Sequence, residues 1–494
     1  MRFRSLTAWL LLIWPVLAHS AEGGVAASPS AFVRAQAGSA VHWHAWNDAT
    51  LAEARVANRS VYVFVGSPLN GLTRATISQT FASGKIVAWL NENFFCMFVD
   101  ADAQPDLAAL AQHYIRSVKQ LQGSPVHLWL TPELQPFDGA NYLPPSEEWG
   151  KPGFLKTART ALENWTGNPA RARALAKEAI DLMRVPPLGA GPKIDLAAKL
   201  GAAASAWVAT LDPVNGGFGS VPKEPEPELI RFLLARGAAG RVAALNAARA
   251  LVRGAAHDPV DGGFYRRTID EAWKEPYYQK TLADQARIAM ALFDAADEGK
   301  DDTLRAAAID ALDFVLAKLR YPDGSFAAAL DGNLDENSPP TKRPAFVPVG
   351  IAPAGAQSLL VVALQRSGET RLAAIAAQLA AKLPEPRTAA DYAAAALAFR
   401  SLKDNERADH LLARGNEIFF DPAVGKYMAS PAQLPSGIAL RVPATGDIPS
   451  PETLALLART DAGTAALLRL ALLAEVEYDE QPPGEVLLGL ATAP

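Results

Sequence analysis

Asp212-Pro213-Val214-Asn215-Gly216-Gly217-Phe218 recurs as Asp258-Pro259-Val260-Asp261-Gly262-Gly263-Phe264. Weaker echoes stand at Tyr321-Pro322-Asp323-Gly324-Ser325-Phe326 and Asp421-Pro422-Ala423-Val424-Gly425-Lys426-Tyr427. Each copy reads as a helix end stopped at Asp-Pro, a turn that needs glycine's positive φ, and an aromatic folded back over the chain. Ala- and Leu-rich segments of helical periodicity run near residues 193–210, 226–236, 240–253, 279–297, 302–319, 355–366, 370–382, 388–401, 405–418, 452–458 and 463–474. Many of the links are as short as antiparallel helical hairpins require. A motif that returns at the same end of successive hairpins predicts a ring of them, an all-α (α/α) toroid whose loop-lined mouth collects aromatics and acids. A helical solenoid punctuated by stable turns is the alternative.

Upstream the period changes. Ser60 to Gly66 and Phe94 to Val99 are short β-branched and aromatic runs that read as buried strands, with a helical stretch between about Leu72 and Asn91. A helix from about Pro105 to Val118, strands at Val126 to Leu130 and near Phe137 to Leu143, and a helix around Phe154 to Trp165 complete a small mixed sheet covered by helices.

The 494-residue chain is long enough for two or three cores, and its net charge of -5 lacks the basic excess that binding a phosphate backbone requires, so no nucleic-acid partner is expected. Arg2 and Arg4 followed by the apolar run Ala8 to Leu17 and Ala18-His19-Ser20-Ala21 predict a signal peptide over residues 1–20. That run is too short to span a bilayer, so no stable membrane span is expected after cleavage, and the periplasm or the exterior is the expected location. Residues 25–166 are expected to form the α/β domain and 167–490 the barrel-like helical domain. Cys96 is the one cysteine, placed within a buried strand, and with one thiol no intramolecular dithiol-disulfide cycle is possible.

The run His42-Trp43-His44-Ala45-Trp46, Val63 to Gly66, Phe81, Asn91-Glu92-Asn93-Phe94, Val99-Asp100 and Leu130-Thr131-Pro132 resembles the thioredoxin-like domain of the spermatogenesis-associated protein 20 family. Asp212 to Lys223 and Asp258 to Asp284 continue the resemblance, which implies a thioredoxin-like domain followed by a domain similar to six-hairpin glycosidases and N-acylglucosamine 2-epimerases. Members of the family carry Cys-x-x-Cys after the strand-ending glycine, and here those positions fall on Asn70 and Thr73. Ser124-Pro125 matches the place of the thioredoxin cis-proline. Where relatives have His-Phe-Glu-Lys the chain has Tyr277-Tyr278-Gln279-Lys280, and their Asp-Ala-Asp becomes Asp331-Gly332-Asn333.

Glycoside hydrolysis needs two carboxyl groups. Asp258, Asp261, Asp270, Asp284 and Asp331 are candidates, with Asp258 and Asp284 taken as the catalytic pair for testing. Phe218, Phe264, Tyr265, Arg266, Asp270, Trp273, Tyr277, Tyr278 and Gln279 are expected to line the mouth, either as a platform for a small polar ligand or glycan or as packing between loops. His42 and His44 share a strand face but lack a third ligand, so no metal site is expected, and no pattern calls for a cofactor. Two functions follow. One is a redox-inactive ligand-binding protein; the other is a carbohydrate-active enzyme working through toroid aspartates.

Overall fold

The computed structural model describes residues 24–189, 195–332, 343–431, 440–444, 453–455, 458, 461–476, 479 and 481–492. The expected signal peptide lies outside them, as do Asn333 and residues 452, 456 and 457 of the helix expected at 452–458. In the first domain β1 (Trp43–Ala45), α1 (Asp48–Ala57), β2 (Val61–Gly66), α2 (Gly71–Ala75), α3 (Gly84–Asn93), β3 (Phe95–Asp100), α4 (Pro105–Ser117), β4 (Val126–Leu130), β5 (Pro136–Ala140), α5 (Phe154–Gly167) and α6 (Pro169–Leu182) follow one another. The sheet order is β1-β3-β2-β4-β5, parallel through β1, β3 and β2 and antiparallel at β4 and β5. This is a thioredoxin-like domain. β2 and β3 are buried along their whole length because helices cover both faces.

One face holds Tyr62, Phe64, Phe98, Trp129 and Phe154, and the other Val63, Met97, Val99 and Ile115. His127 sits among the rings of the first face, where burial pushes its imidazole down to about 3 and Tyr62 shares a 2.7 Å hydrogen bond with its Nδ1. Asn168 caps α6 by accepting from the Arg171 N–H, and Pro169 fits the first helical position. Ala172 and Ala176 then pack on one face of the sheet, and Ala179 and Met183 on the other core. By packing, the first domain therefore runs on to Met183, past the boundary at 166 expected from sequence.

The second domain comprises α7 (Leu196–Ala209), α8 (Pro227–Leu234), α9 (Gly237–Arg253), β6 (Gln279–Thr281), α10 (Leu282–Gly299), α11 (Asp302–Lys318), β7 (Ala329–Asp331), β8 (Val347–Val349), α12 (Ala354–Arg366), α13 (Thr370–Ala380), α14 (Ala389–Ser401), α15 (Asn405–Phe419), α16 (Ala462–Val476) and α17 (Gly484–Thr492). Alternate helices touch: α8 packs on α10, α10 on α12 and α12 on α14, while α9, α11, α13 and α15 lie against them from outside. The terminal helix α17 returns to pack on α8, which makes the array a ring. Two glycines permit that closure. A Cβ at Gly484 would stand 2.6 Å from the Leu229 backbone nitrogen, and one at Gly489 2.9 Å from Thr453 Cγ2. Poor intrinsic helix formers thus mark the seam where helices must approach most closely. Among the described residues no helix is long and apolar enough to cross a membrane.

Candidate functional site

The repeated turns share one construction. Gly216, Gly217, Gly262 and Gly263 all have φ between 72° and 79°, and Leu211 bridges Phe218 as His257 bridges Phe264. Asp212 accepts from the N–H groups of Val214 and Asn215 with one oxygen and from Lys223 Nζ, 2.6 Å away, with the other. Asp421 accepts from the Ala423 N–H and faces Arg441 at 3.4 Å. Asp258 follows the same plan with more cations. Oδ1 takes the Val260 N–H and Arg343 Nη1 at 2.6 Å; Oδ2 takes Lys280 Nζ at 2.5 Å, Arg343 Nη2 at 2.7 Å and the Tyr265 hydroxyl at 3.0 Å. Burial would raise this carboxyl, but the hydrogen bonds from Arg343 and Lys280 hold it well below the ordinary range. Asp258 is therefore ionised and saturated with donors. The same residue type in the same turn at Asp212 and Asp421 makes this a turn device.

The loops that join outer to inner helices also carry most of the residues expected at the mouth. Phe218, Phe264, Tyr265 and Trp273 are at most 3% exposed and belong to the packing of the loops on the helices, the second of the two roles open from sequence. Tyr277 and Tyr278 are half-buried and Arg266 is exposed. Asp270 folds its own loop, accepting the N–H groups of Ala272, Lys274 and Glu275. His257 stacks on Phe264 and pairs with Asp310 at 3.0 Å.

Gln279 has a different task, because it lies where the two domains meet. Its Nε2 donates to the Leu69 carbonyl at 3.0 Å and to Asp331 Oδ2 at 2.7 Å. Arg74 approaches the same oxygen of the fully buried Asp331 at 3.2 Å and also donates to the Pro68 carbonyl. Residues 67–74 are thus seated on the toroid mouth. Asn70 caps α2, its Oδ1 accepting from the Thr73 N–H at 2.9 Å and the Thr73 hydroxyl at 3.3 Å, so the two positions expected for a dithiol are joined by hydrogen bonds. The Ser124–Pro125 bond is cis, as the resemblance implies. Cys96 is 2% exposed, and burial pushes its thiol up to about 12. His42 is exposed and His44 stacks on Phe95. Among the described residues no group of three or more His, Cys, Asp or Glu is placed to hold a metal ion.

The first turns of three neighbouring inner helices hold what the sequence left unnoticed. Glu485 on α17, Glu228 on α8 and Asp284 on α10 come together around Arg287, with Glu226 just ahead of α8 at φ 48°. Arg287 forks onto Glu228, Nε to Oε1 at 2.7 Å and Nη2 to Oε2 at 2.5 Å, while its Nη1 lies 3.7 Å from Asp284. Burial, with Glu224, Glu485 and Glu228 close by, pushes the Glu226 carboxyl up to about 7. Burial also raises Glu485. Asp284 is the one member named from sequence. The run Pro225-Glu226-Pro227-Glu228 is a legible helix start, but only ring closure brings Glu485 beside it.

Residues 24–184 match the family model Thioredox_DsbH, described as a protein of unknown function, DUF255. The chain is 26% identical to spermatogenesis-associated protein 20 of Rattus norvegicus over 333 residues, 63% of this chain and 41% of that protein. It is 26% identical to the Homo sapiens protein over 322 residues, 61% and 40% of the two. The matched part spans about two fifths of those relatives. Similar solved structures include a sugar epimerase from a ruminal bacterium (13% identity, 60% of this chain and 99% of that one, TM-score 0.44) and cellobiose 2-epimerase from Bacillus thermoamylovorans B4167 (12%, 60% and 98%, TM-score 0.44). A thioredoxin-like domain joined to a ring of helical hairpins, together with these partial matches, makes this chain similar over about three fifths of its length to spermatogenesis-associated protein 20.

Proposed function

We propose that this is an exported, redox-inactive binding protein whose helical toroid takes a small polar ligand of carbohydrate type at its mouth, with the thioredoxin-like domain as a fixed cover. The observation that carries the reading is a contrast in hydrogen bonding. Asn70 and Thr73 satisfy each other and the Cys96 thiol is buried, whereas Asp284 in the first turn of α10 has an oxygen, Oδ2, without a donor. The test has two arms. Calorimetry against a panel of neutral, amino and acidic disaccharides is expected to find a binder whose affinity falls in Asp284→Asn, while insulin disulfides stay intact. No binding across the panel, or insulin reduction abolished by Cys96→Ser, contradicts the proposal. Export predicts a mature N-terminus near Ala21 in the periplasmic or secreted fraction.

A second reading, a carbohydrate-active enzyme, is favoured by one specific feature. Glu226 is held near neutrality beside a carboxylate clamped by Arg287, which suits a proton donor next to a fixed negative charge. Turnover of any glycan lost in Glu226→Gln with binding retained would establish it.

A further inference from the structure

The two domains meet through contacts of two kinds. Val442, on the chain beyond α15, is 1% exposed within the second core of the thioredoxin-like domain, the core that holds Val63, Met97 and Met183, and Leu440 and Ala429 pack against it. Apolar burial of this kind holds the domains together as bodies. At the toroid mouth the contact is polar. Residues 67–70 run half-buried between Gly66 and Gly71, which are themselves buried, so they form a short strap anchored at both ends. Against the strap lie Gln279, 1% exposed, and the fully buried Asp331. The Leu69 carbonyl accepts from Gln279 Nε2 at 3.0 Å. Arg74, which also donates to the Pro68 carbonyl at 2.9 Å, stands 3.2 Å from Asp331 Oδ2. Gln279 Nε2 donates to that same oxygen at 2.7 Å. An amide donor and a carboxylate acceptor of the mouth are thus adjacent, and the thioredoxin-like domain meets the first with an acceptor and the second with a donor.

A sugar hydroxyl is donor and acceptor at once, so two neighbouring hydroxyls supply the same pair of functions. Resting on the reading of the toroid mouth as the ligand site, we infer that residues 67–70 with Arg74 form an autoinhibitory strap, occupying the Gln279 amide and the Asp331 carboxylate that a sugar diol takes when the strap lifts. Hydrogen bonds to the strap exchange for hydrogen bonds to water at small net cost, whereas the Val442 plug has no such replacement. Opening is therefore local and leaves the domains joined. The fraction of molecules with the strap lifted then scales the apparent affinity for the ligand.

The test uses the full chain and two variants. Arg74→Met takes the strap's cation from Asp331 and leaves the toroid's own groups intact. Gln279→Glu sets a carboxylate against both Asp331 and the Leu69 carbonyl. Hydrogen exchange over residues 67–74 is expected to speed up at least about tenfold in either variant, with exchange across β3 unchanged. Calorimetry with cellobiose, mannobiose, a glucosamine disaccharide and a glucuronic acid disaccharide separates the two. A disaccharide that binds is expected to bind at least about threefold more tightly to Arg74→Met, where the strap no longer competes, and at least about fivefold more weakly to Gln279→Glu, where the amide donor is lost. Exchange unchanged in both variants would overturn the strap. Faster exchange in Arg74→Met with no gain in affinity would make the contact purely structural, overturning the inhibition and leaving the toroid reading intact. Tighter binding in both variants would overturn the assignment of Gln279 to the ligand. No probe bound by the parent or either variant up to about 10 mM would overturn the proposed function and the inhibition together.

Discussion

The Asp258 turn and the first-turn carboxyls of α17, α8 and α10 lie in one ring and use one chemical group to opposite ends. At Asp258 two cations, a hydroxyl and a backbone N–H converge on a single carboxylate, so nothing is left to offer a ligand. At Asp284 one oxygen, Oδ2, has no donor, and its side chain is 20% exposed against 1% for Asp258. The count of donors separates a group that holds the fold from one available for binding.

That comparison breaks most visibly at Asp258. Asp258→Asn leaves the buried Lys280 without its carboxylate partner and Arg343 with Asp261 alone, and is expected to cost about 3–5 kcal/mol in denaturant unfolding. A loss below about 1 kcal/mol would mean that the ion cluster is not structural. Ring closure is the next test. Gly484→Ala drives a methyl group against the Leu229 backbone and is expected to cost about 1–3 kcal/mol, whereas Gly201→Ala, in open space on α7, is expected to stabilise by about 0.5–1 kcal/mol. Equal effects at the two glycines would argue against close contact of α17 with α8.

At the junction, Asn70→Ala removes the cap of α2 and is expected to cost about 1 kcal/mol. It should also leave residues 67–74 more open to limited proteolysis. The smallest effect is a pH dependence. Because the folded state holds the Glu226 proton up to about 7 against about 4.5 in the unfolded chain, this group's contribution to stability is present below 4.5 and is lost as pH rises toward 7. Glu226→Gln is expected to flatten that slope and to stabilise the protein at about pH 8 by roughly 1–2 kcal/mol, a half-buried charge being partly screened by water.

The repeated turns were legible because positive φ at four positions demands glycine, and glycine pairs are conspicuous in a sequence. The toroid and the small mixed sheet followed from that repeat and from period alone. The helix Gly484–Thr492 escaped notice for the converse reason: its glycines serve close packing, which local propensity counts against a helix. Pro169–Leu182 is alanine-rich but has no place among the expected segments, and its alanines touch the sheet only once the chain has folded back. Site residues were harder to read. Asp258 stands out in sequence through its repeat, but the partners that saturate it are Lys280 on β6 and Arg343 on a separate loop. Glu226, Glu228 and Glu485 look like ordinary helix-start acids until the last helix is laid beside α8. The aromatics of the turns were conspicuous for the same reason as the glycines, as parts of the turn, and Phe218 and Phe264 pack it shut.

The central claim is that ligand affinity resides in the first-turn carboxyl of Asp284, whose Oδ2 has no donor, and not in the saturated Asp258. Its most direct test compares Asp284→Asn with Asp258→Asn in one experiment that measures both unfolding and disaccharide binding. The account predicts that Asp284→Asn keeps its stability and loses affinity, while Asp258→Asn loses stability and, at temperatures where it stays folded, keeps its affinity. Affinity lost in Asp258→Asn and untouched in Asp284→Asn would contradict it.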